Sequence, residues 1–252
     1  MTVIAVFNQT GRAGKTTIAA SLLAGIAQRG LRPLGIDLDP QAHLSAIFGA
    51  SVPFAEDSMY SFFVRQRGLE EVAQITASGV IVCPAHLELS RLDALLGKGM
   101  NVITRLRVAL RPNAAAPGPV VIDCCATPGM LSLNAIFACD LLLVPVSADY
   151  RALEGAQAVE RALRALEPVF KRRLPRRYVL TRYDASRNMS SEVAELMALA
   201  FRPEEICATR IVEDASGSPE ERLDAFRHAP QGRGAADYRA LLDELMRAGL
   251  AP

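Results

Sequence analysis

The chain comprises 252 residues and 27.1 kDa, the size of one large α/β domain. Half of its residues are apolar and 22% are charged, which allows a sizeable core and excludes disorder as the main state. The lack of an apolar run of about eighteen residues and the lack of a basic leader argue against membrane-spanning or secreted forms. With a net charge of +1, any nucleic-acid affinity is left to a local patch. In chain order, Val3–Phe7 reads as a buried strand and Thr16–Arg29 as a helix with apolar residues recurring at three and four. Leu34–Ile36, Val80–Cys83, Val120–Ile122, Leu141–Val146, Tyr178–Thr181 and Ile206–Val212 read as further strands. Met100–Leu110, Ala152–Leu166, Ser190–Ala200 and Ala235–Ala248 read as helices, and Asn113–Pro119 as a flexible loop. Apolar strands alternating with helices predict an α/β fold: a doubly wound, mainly parallel sheet with helices on both faces, one domain over residues 1–252. The five cysteines, Cys83, Cys124, Cys125, Cys139 and Cys207, form no C-x-x-C pair and read as reduced, buried thiols of a cytoplasmic protein. His43, His86 and His228 carry no metal-ligand spacing.

The segment NQTGRAGKTT (Asn8–Thr17) follows the first strand and opens the first helix. Gly11 and Gly14 let backbone amides approach an anion, Lys15 can reach terminal phosphates, and the Thr16 hydroxyl can ligate magnesium. The strict phosphate-loop pattern asks for glycine where Gln9 stands, but G-K-T-T at a strand-to-helix turn still points to a phosphate site. LGIDLDPQ ends the second strand with Asp37 and Asp39, and VVID ends another with Asp123. In a parallel sheet these three strand ends converge on the crevice at the carboxyl edge.

Together these segments resemble the deviant-Walker ATPases of the ParA/MinD group, most closely its ParA partition branch, over nearly the whole chain. NQTGRAGKTT is similar to that family's NQKGGVGKTT, and DLDPQAHLS to its second motif. CPAHLELSRLD, the block VVIDCCATPGMLSLNAIFACDLLLVPVSADYRALEG, LTRYDASRNMSSEV and RGAADYRAL follow in the family's order. The resemblance implies a P-loop NTPase in which Gly11, Arg12, Ala13, Gly14, Lys15, Thr16 and Thr17 bind ATP and Thr16 ligates Mg²⁺. Asp37 and Asp123 would order the metal's waters, and Asp39 would orient or activate the attacking water. It further implies a homodimer in the ATP state, binding to DNA without sequence preference, a ParB-like or other small basic activating partner, and a cytoplasmic, nucleoid-associated protein.

Two positions depart from the family. Its signature lysine, which reaches the nucleotide of a partner protomer, is replaced by Thr10, and the loop's second glycine by Arg12. Either the site has lost this chemistry, leaving a nucleotide-gated scaffold with little hydrolysis, or Arg12 supplies the missing charge; both residues are candidate dimer contacts.

Lys171–Arg187 carries seven basic residues and one acid. Arg182, Arg187, Arg202, Arg210, Arg222, Arg227 and Arg233 are candidate DNA contacts, with strongly salt-dependent affinity expected. Cys124 and Cys125 read as core residues rather than ligands of an iron–sulfur cluster. A MinD-like membrane-associated regulator is the remaining alternative. The C-terminal stretch Tyr238–Pro252 mixes acids with arginines and reads as a helix packed on its own domain, which speaks against a membrane partner.

Overall fold

Strand β1 (Val3–Val6) is apolar throughout because it lies inside a sheet covered on both sides. Its alternate residues serve two cores: Val3 and Ala5 pack into one, Ile4 and Val6 into the other. The structure, a computed structural model, describes residues 2–97, 99–110, 118–213 and 232–249. The other strands there are β2 (Leu34–Leu38), β3 (Gln74–Ile75), β4 (Ile81–Cys83), β5 (Val120–Cys124), β6 (Leu141–Ser147) and β7 (Arg176–Thr181). They form one seven-stranded sheet in the order β3-β4-β2-β5-β1-β6-β7, parallel except for the β3–β4 pair. The first helix (Lys15–Gln28) and the C-terminal helix (Arg233–Arg247) cover one face, contributing Ile18, Leu22, Leu241 and Leu245 to the core. Helices Met59–Val64, Met130–Ala138, Tyr150–Phe170 and Asn188–Ala200 cover the other. This is the doubly wound sheet expected from the sequence.

Two local expectations are corrected, and one element is added. Ile206–Val212 is not a sheet strand: it touches the β7 side through two isolated bridges, Tyr178↔Ile206 and Tyr183↔Val212. Cys207 N and Ile211 N still donate to Tyr178 O and Leu180 O at 2.9 Å, but between them the amides of Ala208 and Thr209 donate to the Glu244 carboxylate at 2.7 and 2.8 Å, so the C-terminal helix interrupts the ladder. The predicted helix Met100–Leu110 is split at Thr104 into Met100–Ile103 and Arg105–Ala109. There the Leu106 amide is captured by Asn134 Oδ1 at 3.1 Å, and the Thr104 hydroxyl bonds back to Met100 O. The antiparallel edge strand Gln74–Ile75 is an addition that the apolar pattern did not signal. Residues 113–117 of the predicted loop lie outside the described residues.

At the amino edge of β7, Arg176 is fully buried and donates to Glu160 Oε2 at 2.7 Å and Glu167 Oε1 at 2.5 Å. Glu160 also accepts from Tyr178 OH at 2.6 Å and from Arg164 at 2.8 Å. Burial disfavours the Glu160 carboxylate, but these donors together hold its pKa below the ordinary value. Removing one partner strands the others in a dry site. Arg176→Ala is therefore expected to destabilise the fold by about 3–5 kcal/mol in urea denaturation. Arg164→Ala, at the exposed end of the same cluster, should leave the midpoint nearly unchanged.

Candidate nucleotide site

The parallel register sets the site. Asp37 is the direct neighbour of Asp123 across β2–β5, and Val6 of β1 pairs with Asp123 from the other side. The turn after β1 therefore runs past both carboxylates before entering the first helix. In that turn Gly14 adopts a left-handed conformation (φ 89°) and caps the helix, and Arg12 adopts one as a non-glycine residue (φ 62°). Such a conformation costs an arginine about 1–2 kcal/mol, a strain of the kind that concentrates at ligand-binding loops. The backbone at Gly11 is open, with nothing within 4 Å of where a Cβ would stand. Thr181 Oγ1 donates to Ala13 O at 3.0 Å and braces the loop from β7.

Lys15 is buried at the helix start, and its ammonium donates to Thr10 O at 2.8 Å. Burial lowers its pKa, opposed by the nearby charges of Asp123 and Asp39. Asp37 is completely buried: Oδ2 accepts from Ser45 N at 2.9 Å and Ser45 Oγ at 2.7 Å, and Oδ1 from Asp39 N at 3.0 Å. Burial nevertheless raises its pKa to about 6, against the pull of these donors. Asp123 is also completely buried, and neither of its oxygens has a hydrogen-bond partner of normal geometry. Burial, followed by the charge of Asp37, pushes its pKa well up, although the Thr16 hydroxyl is near enough to favour the ionised form. A buried carboxylate of this kind, beside a hydroxyl and a lysine, fits a hydrated divalent cation whose waters would satisfy both oxygens.

Asp39 is half-buried, with Oδ1 accepting from Gln41 N at 2.9 Å. It stands at a cleft of about 320 Å³ that is also lined by Gln41, Ser90, Cys125, Thr127 and Leu131. Thr16 and Thr17 lie half-buried in the helix's first turn, and Arg12 is exposed at the loop tip. The structure thus brings together Gly11, Arg12, Ala13, Gly14, Lys15, Thr16, Thr17, Asp37, Asp39 and Asp123. Thr10, by contrast, commits its hydroxyl to Arg151 O of its own chain at 3.0 Å. Cys124 is buried, and burial raises its pKa; Cys125 is half-buried, with its pKa raised to about 11, so both are protonated thiols at neutral pH.

The basic candidates separate. Arg182 and Arg187 both pair with Glu213, and Arg187 also with Asp184. Arg210 lies over the Tyr183 ring, 4.9 Å from its centroid, while Arg202 and Arg233 are exposed without an ion pair among the described residues. Arg222 and Arg227 lie outside the described residues. Sequence reasoning missed Ser45, Asn8 and Thr181. All three stand in the quoted motifs; the partners of Asn8 and Thr181 come from distant segments, whereas Ser45 serves Asp37 of its own motif and also accepts from Ala85 N.

A family model described as an AAA domain (AAA_31) matches residues 1–175. The chain is 31% identical to the chromosome partitioning protein ParA of Myxococcus xanthus, over 97% of this chain and 88% of that one. It is 29% identical to the sporulation initiation inhibitor protein Soj of Bacillus subtilis, over 98% and 99% of the two chains. Among solved structures, a Mycobacterium smegmatis protein described as cobyrinic acid a,c-diamide synthase, with bound ATP analogue and magnesium, superposes with a TM-score of 0.82. It is 25% identical and covers 99% of this chain and 96% of that one.

The carboxylate pair yields a prediction for the nucleotide-free protein. Folded pKa values raised above the unfolded 3.8 mean that the neutral acids' contribution is fully present below about pH 4 and is lost as pH rises through the folded values, about 6 for Asp37. Asp123→Asn mimics the neutral state and keeps an oxygen that can accept from the Thr16 hydroxyl. It should raise the melting temperature at pH 8 by about 3 °C or more while changing it little at pH 4. Equal shifts at both pH values would refute the electrostatic account.

Proposed function

This chain belongs to the ParA/MinD family of P-loop ATPases, and we propose that it is an ATP-driven switch for partitioning or positioning a plasmid, a chromosome region or a protein assembly. In this reading ATP with Mg²⁺ binds the phosphate loop, two protomers join, and the dimer holds DNA without sequence preference. Hydrolysis, slow until a ParB-like or other small basic partner engages, resets it. The protein would be cytoplasmic and nucleoid-associated. The observation that carries the reading is Asp123, buried with both oxygens unpartnered beside Asp37, Thr16 and Lys15.

Bound Mg²⁺ would supply counter-charge to the terminal phosphates. Thr16 would hold it through its hydroxyl, and Asp37 and Asp123 through its water shell, with Ser45 fixing the Asp37 carboxylate. The amides of residues 11–14 and the helix N-terminus would cradle phosphate oxygens, and the Lys15 ammonium would neutralise them. Asp39, oriented by the Gln41 amide, would position the attacking water. Arg12, exposed at the loop tip, would offer the outward charge that Thr10 does not.

The C-terminal helix speaks against a lipid surface as the partner. Its apolar residues Leu241, Leu242 and Leu245 are buried in the core, leaving no apolar stripe for lipid. Among the described residues no helix is long and apolar enough to cross a membrane. Because Glu213 neutralises Arg182 and Arg187 in part, Arg202, Arg210 and Arg233 are the stronger DNA candidates.

Calorimetry should show ATP–Mg²⁺ binding to the wild type and none to Lys15→Ala; equal affinities would sink the phosphate-loop assignment. Asp39→Ala should keep the affinity and lower kcat by about 10²-fold or more. Unchanged turnover would leave Asp39 as a turn residue and favour a scaffold with little hydrolysis. In sedimentation with ATP, wild type and Arg12→Lys should dimerise, whereas Arg12→Gly, which relaxes the backbone but removes the charge, should not. DNA retention by the ATP form should fall steeply with salt, and Arg202→Glu with Arg210→Glu should lower both retention and salt slope.

A further inference from the structure

Thr10 begins the phosphate loop, and every polar group it carries is engaged within the chain. Its amide donates to Asn8 Oδ1 at 3.1 Å, its hydroxyl to Arg151 O at 3.0 Å, and its carbonyl accepts from Lys15 Nζ at 2.8 Å. Asn8 is fully buried and donates through Nδ2 to Pro145 O at 2.7 Å and Ala152 O at 3.2 Å. Arg151 and Ala152 lie in the first turn of helix Tyr150–Phe170. Two side chains of the loop are thus fastened to the main chain of that turn. The approach needs the glycine at 155: a Cβ there would press on Thr10 Oγ1 and stand 2.5 Å from Asn8 Oδ1. Asn8 cannot easily yield, since it is buried and bonded on both ends of its amide.

We propose that Thr10 is a positioning residue for Lys15: its hydroxyl bond to Arg151, admitted by Gly155, fixes the carbonyl that holds the Lys15 ammonium. The proposal rests on the nucleotide-binding reading of the loop. A lysine stem has four rotatable carbons and carries its charge as a point, so an ammonium is placed by what restrains its end. Here that restraint is the Thr10 carbonyl, itself held from the amide side by Asn8 and from the side chain by helix Tyr150–Phe170. Nucleotide affinity depends on the amides and the ammonium being present. The transition state, with its shifted charge, depends on where the ammonium stands. Loosening Thr10 should therefore reduce kcat more than it changes KM.

The test compares wild type with Thr10→Val, which keeps the shape and removes the hydroxyl, and Thr10→Ser, which keeps the hydroxyl. In nucleotide-free protein, competitive acetylation read by mass spectrometry reports Lys15 against exposed Lys171 as an internal reference. Thr10→Val should raise the Lys15-to-Lys171 ratio by about 3-fold or more, and Thr10→Ser should leave it near the wild-type value. In steady-state kinetics Thr10→Val should lower kcat by about 10-fold with KM for ATP within about 2-fold, and Thr10→Ser should restore turnover. Gly155→Ala, which keeps the threonine at position 10 but pushes its hydroxyl away, should reproduce the Thr10→Val labelling. Wild-type labelling and kcat in Thr10→Val would overturn the proposal. So would a joint loss of kcat, affinity and melting temperature that serine does not rescue, since that marks a purely structural residue. If wild type fails to bind ATP, the nucleotide reading falls, while the labelling ratio still decides whether Thr10 holds Lys15.

Discussion

Two carboxylates held side by side without solvent, Asp37 and Asp123, impose the constraint on which the rest of the carboxyl edge depends. Burial alone raises both pKa values, and their proximity raises that of Asp123 further. A fold without a use for charge at this point would do better with apolar side chains. The surroundings fit that use. Asp37 is held by three donors from the segment that follows its own strand, whereas Asp123 is left with open oxygens facing Thr16 and Lys15. One acid is fixed in orientation, and the other is free to bind. That asymmetry matches a site in which a cation arrives with its ligand rather than residing permanently.

The phosphate loop answers the same constraint from the opposite sign. Lys15 lies close to the pair, and burial weakens its charge while Asp123 and Asp39 sustain it. Its ammonium is not paired directly to a carboxylate among the described residues but rests on a backbone carbonyl. A neutral acceptor holds the cation in place without cancelling it, so the charge stays available for phosphate. The strained backbone at Arg12 lies on the solvent side of this arrangement, where the loop tip is exposed and no packing dictates its conformation.

Lys15, Asp37 and Asp123 could be read from the sequence because each sits at a strand end or helix start, where position along a parallel sheet determines position in space. The residues that support them could not. Asn8 and Thr10 reach Pro145, Arg151 and Ala152, and Thr181 reaches Ala13, all across more than a hundred residues of chain. The basic segment misled for a similar reason. Counting charge within Lys171–Arg187 overlooks Glu213, which folds back onto Arg182 and Arg187. Buried Arg176 and half-buried Arg173 likewise serve the network with Glu160, Glu167 and Glu205 rather than a surface patch. The misplaced strand at Ile206–Val212 has the same origin, because its apolar residues fit a ladder that Glu244 of another element interrupts at Ala208 and Thr209. Local pattern locates the chemistry; long-range side-chain bonds decide its environment.

Helix Tyr150–Phe170 joins these environments. Its first turn accepts the bonds from Asn8 and Thr10, while Glu160 and Glu167, farther along, are tied to buried Arg176 at the amino edge of β7. With 21 residues it extends roughly 30 Å, so one rigid element spans from the phosphate loop to the opposite edge of the sheet. Displacing the loop at Thr10 must either break its bond to Arg151 or carry the helix's first turn with it. The far half resists translation, because moving Glu160 or Glu167 would leave Arg176 unpaired in a dry site. At its N-terminal end Tyr150 bonds Glu192 of helix Asn188–Ala200, and buried Ala152, Leu153, Ala156, Val159 and Leu163 pack it into the core between the two ends. The same helix thus braces the phosphate loop at the carboxyl edge and holds the ion-pair network at the amino edge.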